Sequence, residues 1–453
     1  MDLTYKRNHA FKGLSQDELK KIFDYNEGYK KFLDNGKTER ETVAETIEMA
    51  KANGYKEYTL GTKIEKGDKL YYNNRGKALF LIKAGKADLA KNGIRILVAH
   101  VDSPRLDLKQ VPLYESADMA FLKTHYYGGI KKYQWLALPL ALHGVIALKS
   151  GEVVNVNVGE EDGDPVFYIT DLLPHLSQEY NEKTVASAFK AENLNVLIGG
   201  IPAEGEDSNP VKMNALRLLN QKYGITEEDF LSAEIEAVPA LKAKDVGFDR
   251  AFVASYGHDD RVCAYPEITA TFETETDQTI LTILADKEEV GSEGNSGMQC
   301  GVYEDIINEI AMAFGKSSAL VRRNSKCLSA DVTACYDPNF AFAYERRNSS
   351  MLSCGTAICK FTGSGGKGGS NDASAEFMGF VRKMLDDNGI IWQTAELGKV
   401  DAGGGGTVAK FIAKLNIDVI DIGVPVISMH APYELISKAD LYSTYEAFVA
   451  FIK

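Results

Sequence analysis

A chain of 453 residues with 45% hydrophobic and 25% charged residues has the composition of a globular protein that can bury a large core, and the length for two or three domains. Its formal net charge of −13 excludes a general nucleic-acid binder, which needs a basic footprint for phosphates. No apolar run is long enough to cross a bilayer, and the polar, mixed-charge stretch Met1 to Lys21 lacks a signal-peptide pattern, so a cytoplasmic location is expected.

The first 55 residues read as two helices. The second opens at Thr38 with Glu41 three positions on, a capping box, and stops at Asn53-Gly54. Ala78 to Lys83 and Ile94 to Ala99 are short Ile/Val/Leu-rich runs, the signature of buried strands. From about Leu108 to Ala243 the texture changes to alternating segments such as Val153 to Val158, with few candidate ligands beyond His125, His143 and His175. After Asp245 strands and helices alternate again: strand Thr279–Ala285, helix Gly301–Phe314, helix Asn371–Asn388 with Gly389 past its end, strand Asp418–Val424 and helix Ser437–Ile452. The expected architecture is α/β: a mostly parallel sheet flanked by helices, built from residues 1–107 and 245–453, with a β-rich domain inserted at 108–244. The six cysteines (263, 300, 327, 335, 354, 359) form no CxxC pair and read as buried free thiols of a reducing compartment.

Chemistry-bearing residues cluster where predicted strands end. Ile94–Ala99 runs into His100-Val101-Asp102, Thr279–Ala285 into Asp286-Lys287-Glu288-Glu289, Cys327–Ala330 into Asp331, and Val424–Met429 into His430. Open α/β sheets form their sites outside the carboxyl ends of the strands. Asp259-Asp260-Arg261 adds a carboxylate pair. Alone, each piece is an ordinary strand-end or turn feature; together they suit a hydrolytic site with two divalent ions. Imidazole and carboxylate donors favour zinc, cobalt or manganese, and a bridging carboxylate holds two ions about 3.5–4 Å apart. His100 and Asp102, two apart on a strand, share a face, so Asp102 can orient the imidazole. Adjacent Glu288 and Glu289 should diverge, one toward metal and one toward proton transfer.

The combination His100-Val101-Asp102-Ser103-Pro104-Arg105-Leu106, Asp259-Asp260-Arg261, Glu288-Glu289-Val290-Gly291-Ser292, Ser329-Ala330-Asp331 and Met429-His430-Ala431-Pro432-Tyr433-Glu434 resembles the M18 family of metallopeptidases, the aspartyl aminopeptidases. The resemblance runs from about residue 75 onward. It implies His100 and Asp331 on one ion, Glu289 and His430 on the other, Asp259 bridging, Glu288 as general base and Asp102 orienting His100. It also implies a dimerisation role for the middle insertion, assembly into a dodecamer, and a histidine, matched by His175, that reaches a neighbouring subunit's site. The specificity implied is for acidic N-terminal residues. Two segments depart from the family pattern: Gly128-Gly129 through Trp135, and Asp401-Ala402 with Gly403 to Thr407. In the second, just before an expected helix at Thr407, the backbone of Gly404 and Gly405 either contacts substrate or forms a plain helix-entry turn.

Competing readings are a related dinuclear deacylase or carboxypeptidase, and a non-catalytic scaffold on a peptidase fold. A phosphate-binding loop at Gly363 to Ser370 is a near miss, since Gly368 follows Gly366-Lys367 where Ser or Thr is required.

Overall fold

The structure, a computed structural model, describes residues 3–453; Met1 and Asp2 of the polar leading stretch lie outside the described residues. Contacts divide the chain into two compact units. One runs to Ser103 and takes in Ala243–Met429 and Glu434–Lys453; the other comprises Pro104–Lys242 with the four residues His430–Tyr433.

The first unit opens on two capped helices. Ser15 and Glu18 form a capping box on Gln16–Asn35, and Thr38 and Glu41 form one on Glu39–Ala52. Each box satisfies backbone N–H groups that a first turn leaves bare. The main sheet has nine strands in the spatial order Lys56–Glu57, Lys69–Asn74, Ala78–Lys83, Thr279–Ala285, Ile94–His100, Lys326–Ser329, Asp418–Gly423, Thr356–Cys359 and Trp392–Thr394. Its four central strands, from Thr279–Ala285 to Asp418–Gly423, run parallel. The sheet as a whole is mixed, because Lys69–Asn74 and Ala78–Lys83 are joined by a tight turn at Arg75-Gly76, and so short a link permits only antiparallel pairing. Thr356–Cys359 also runs antiparallel to its neighbour.

Why the central strands lack polar alternation is clear from their packing. Ile94, Ile96 and Val98 join Ile306, Ile307 and Ile310 of the helix Val302–Ala313 in one core. Leu97 and Ala99 join Val262, Ala264 and Ile268 of the helix His258–Glu273 in another. Both faces are covered by helices, so both sets of side chains must be apolar.

Two expectations change in detail. The helix anticipated from Asn371 begins at Ala375, because the Ser374 hydroxyl caps the N–H of Phe377 at 3.1 Å while Asn371 donates to the Val419 carbonyl at 2.8 Å. The strand anticipated at Val424–Met429 is the three-residue Pro425–Ile427. It leaves the main sheet for a five-stranded one, pairing with Thr333–Ala334 and Glu434–Ser437.

The second unit is wholly antiparallel. Arg105–Ser116, Met119–Tyr127, Val196–Gly199, Phe167–Tyr168, Pro139–Ala147 and Ala233–Pro239 each pair with the next, and the last pairs back to the first. Six strands thus close into a ring, with Val153–Val158 attached to Pro139–Ala147. Ala117 and Asp118, both at positive φ, make the two-residue turn of its first hairpin. The helix Pro210–Tyr223 belongs to this unit. All six cysteines are free and five are buried. Among the described residues no helix is long and apolar enough to cross a membrane.

Candidate metal centre

Hydrogen bonds beyond the strand ends hold His100 and Asp331 in register. The N–H of Ala330 donates to the Val98 carbonyl at 2.7 Å, and that of Val101 to the Ala285 carbonyl at 2.8 Å. His100, which ends its strand, and Asp331, just past Lys326–Ser329, are thereby fixed at the carboxyl edge of neighbouring parallel strands.

Asp259 and Asp260 arrive differently, at the start of the helix His258–Glu273, where both have non-helical backbone angles and link it to Phe252–Ser255 of the small sheet. Several buried contacts set that link. Tyr29 OH donates to His258 Nδ1 at 2.7 Å, and His258 Nε2 donates to the Val253 carbonyl at 3.1 Å. Burial pushes the His258 pKa down to about 3, so the ring stays neutral and keeps both bonds. Arg261 is fully buried: one terminal nitrogen donates to the Lys37 carbonyl at 2.7 Å, the other to the Tyr256 carbonyl at 3.0 Å. Ser103 Oγ donates to the Asp259 carbonyl at 2.6 Å, and the Asp259 N–H donates to Glu434 at 3.1 Å.

Gly257 stands at φ +71°, and a Cβ there would come within 1.5 Å of the Arg261 guanidinium. Gly257→Ala is therefore expected to cost about 1–3 kcal/mol. Because the strain falls on the segment that carries Asp259, metal retention should fall with it. Thermal unfolding of the metal-free protein, together with metal analysis, measures both.

Ligand atoms of His100, Asp259, Asp260 and Asp331 lie within 4.8 Å of one another, and so do those of Asp259 and Glu289. Asp259 is common to both sets. His100 Nε2 is 3.1 Å from Asp259 Oδ1, while its Nδ1 is 2.9 Å from the carbonyl of Asp102 and 3.4 Å from that residue's carboxylate. The backbone oxygen of Asp102 is thus the nearer partner for the ring. Its carboxylate has a second task, accepting the N–H groups of Glu288 at 3.1 Å and Glu289 at 3.2 Å. One side chain ties the His100 strand to the Glu-Glu turn. The two glutamates do diverge: Glu289 reaches Asp259, whereas the charge of Glu288 is felt at Asp331 and Asp421.

Asp260 and Asp331 are pushed well up, by burial first and then by neighbouring carboxylates. His100 is raised as well, since hydrogen bonds to Asp102 and Asp259 outweigh its burial. A buried imidazole among crowded carboxylates calls for a compensating cation, and its N/O donors fit zinc. These shifts give a sign. Raised pKa values mean that the metal-free centre holds extra protons, so acidification must favour metal release. Metal content after equilibration should fall as the pH is lowered, more steeply than a single proton would produce. Content that does not change on acidification would contradict this.

The remaining predicted residues fall as follows. His430, at φ +64°, belongs to the second unit, where its Nδ1 donates to the Gly129 carbonyl at 2.8 Å. A Cβ on Gly129 would lie 3.2 Å from that ring's Nδ1, so glycine suits the position. His175 is exposed in the turn Pro174–Leu176. Gly404 and Gly405 sit against a second glycine-rich loop: Gly363 N–H donates to the Gly405 carbonyl at 2.5 Å, and a Cβ on Gly404 would lie 2.2 Å from the Gly363 carbonyl. The helix expected at Thr407 starts at Ala409 and lasts five residues, too short to present an N-terminal site. In the phosphate-loop near miss, Lys367 is engaged by Asp372 at 3.0 Å and lies over the Phe361 ring. His143 is held by Glu160 at 3.2 Å, and His125 is exposed.

Sequence reasoning missed three acids. Asp260 was read only as half of a pair, yet it belongs to the buried cluster. Glu434 steadies the Asp259 backbone. Asp421, raised to about 7 by burial, accepts from Thr407 at 2.7 Å and Ser329 at 3.1 Å and so anchors the end of the glycine loop. It stands inside the strand Asp418–Gly423 rather than at its end, and no local signal marks it.

The model of the family described as Aminopeptidase I zinc metalloprotease (M18) matches residues 32–452. A Clostridium acetobutylicum protein named "Probable M18 family aminopeptidase 1" is 49% identical, covering 100% of this chain and 99% of its own length. The crystal structure of an M18 family aminopeptidase from Thermotoga maritima superimposes with a TM-score of 0.94 at 41% identity, covering 99% of this chain and 100% of that one. That of aminopeptidase I from C. acetobutylicum gives 0.93 at 46% identity, with both chains fully covered.

Proposed function

This chain belongs to the M18 family of zinc aminopeptidases, and we propose that it removes the N-terminal residue of peptides at a two-ion centre. In this reading His100 and Asp331 hold one ion, Glu289 and His430 the other, and Asp259 bridges them. The observation that carries it is the shared carboxylate: Asp259 lies within 4.8 Å of His100 and Asp331 in one set and of Glu289 in the other.

Bound there, two zinc ions (cobalt and manganese suit the same donors) would polarise the scissile carbonyl and lower the pKa of a water toward neutrality. Glu288 takes the water's proton and returns it to the leaving amine. The Asp102 carbonyl engages His100 Nδ1 and so keeps Nε2 turned to the acidic cluster. The free α-amino group of the substrate is attracted to the same carboxylates, which confines attack to the first peptide bond. Gly404 and Gly405 border the substrate, and His175 is supplied by a neighbouring copy.

A panel of aminoacyl substrates, free and N-acetylated, tests the reading. Acetylation should abolish turnover, whereas a deacylase would need the acyl group and a carboxypeptidase would tolerate it. Substrates beginning with Asp or Glu form the arm that tests the acidic specificity.

The proposal extends to a cytoplasmic homo-oligomer, dimers of which build a dodecamer through the β-rich unit. Exposed Leu173, Leu176, Val185 and Ile201 on that unit give it apolar surface for such contacts.

A further inference from the structure

The closed strand ring of the second unit encloses space that no step of peptide hydrolysis uses. A cavity of about 490 Å³ lies between the strands and the helix Pro210–Tyr223. Leu142 and Ile146 face it from one strand and Val156 and Val158 from its neighbour, the spacing that puts side chains on one side of a sheet. Leu122 and Ile235 add further aliphatic wall, and Leu219 of the helix covers it. The volume falls within the range of small-molecule sites. Ordered water needs two to four polar partners, and aliphatic walls offer none. Closed antiparallel sheets of about eight strands can hold one small ligand against their apolar faces, and here the helix completes the wall.

The rim decides the class of ligand. Lys222 is the one charged residue among those lining the cavity, flanked by Gln221 and Tyr223 at the end of the helix. Its nearest counter-ion, Asp164, stands 4.0 Å away, a loose pairing on a half-exposed side chain. A positive charge beside a largely apolar chamber, walled by aliphatic side chains with Phe167 and Phe230, matches an unbranched chain with an anionic head.

We propose that this cavity binds a fatty-acid-class ligand, its acyl chain between the strands and the helix and its carboxylate at Lys222. The native assembly is titrated with a dansylated undecanoic acid, which is then displaced by dodecanoate, dodecanol or dodecyltrimethylammonium. One saturable site per chain is expected, with dodecanoate displacing the probe at least about fivefold more effectively than the ammonium compound. Lys222→Glu, an exposed substitution remote from the peptidase ligands in sequence, should cancel or invert that preference and leave dodecanol and peptidase activity unchanged. Val156→Trp, which fills the chamber, should abolish probe binding while peptidase activity persists. Absence of saturable binding overturns the proposal, as would a second copy's side chains occupying the chamber. Displacement indifferent to head charge, or an unchanged order in Lys222→Glu, overturns the assignment of the ligand class.

Discussion

Glu288→Gln is expected to lower kcat about a thousandfold while the protein keeps its metal. The substitution preserves size and hydrogen-bonding capacity and removes only the ability to accept a proton. Glu288 is absent from both clusters of close ligand atoms, so nothing that holds an ion is lost. Its backbone N–H, donated to Asp102, is unaffected by the change, so the turn that also presents Glu289 should stay in place. Measuring kcat beside metal content separates the two roles. Metal loss in Glu288→Gln, with retention in Glu289→Gln, would reverse the assignment of the two glutamates.

Asp259→Asn should reduce bound metal from two equivalents toward one and lower turnover by at least about a hundredfold. Asn keeps the shape of the side chain, so the buried segment between Gly257 and Arg261 need not rearrange. What disappears is the one negative charge common to both clusters. Its removal also lessens the electrostatic pressure on Asp331, which Asp259 helps to raise. Metal titration followed spectroscopically with cobalt reads the stoichiometry directly. Two equivalents with undiminished kcat would remove the bridging role.

How much of this was legible depends on the range of the interactions. Thr38 and Glu41 announce a helix start because the cap and the groups it satisfies lie within four residues. Thr279–Ala285 is readable because burial on both faces leaves an unbroken apolar run. The Ala117-Asp118 turn carries neither Asn nor Gly, so its positive φ angles were invisible, and with them the hairpin that starts the ring. Pro425–Ile427 looked like another strand of the main sheet because three residues do not encode their partners; pairing with Thr333–Ala334 is decided 92 positions away. The site shows the same division. His100, Glu288, Glu289 and Asp331 follow recognisable strands, whereas Asp421 and Glu434 act through hydrogen bonds to distant segments that no local pattern records.

The order of the central strands has a consequence for how the protein comes into being. Synthesis delivers Ile94–His100 first, then every strand of the ring, then Thr279–Ala285 and Lys326–Ser329, yet Asp418–Gly423 must slot between Lys326–Ser329 and Thr356–Cys359, both made earlier. Until that strand emerges, the earlier edge stands open and Asp421 cannot take hold of Ser329. The β-rich unit, by contrast, has every strand of its ring within one uninterrupted stretch. A nascent chain therefore carries a finished barrel on an unfinished catalytic sheet, and residues destined to share ions wait on separate segments. Metal capture belongs to the closing moments of maturation, and the cell must protect the open sheet edge until then.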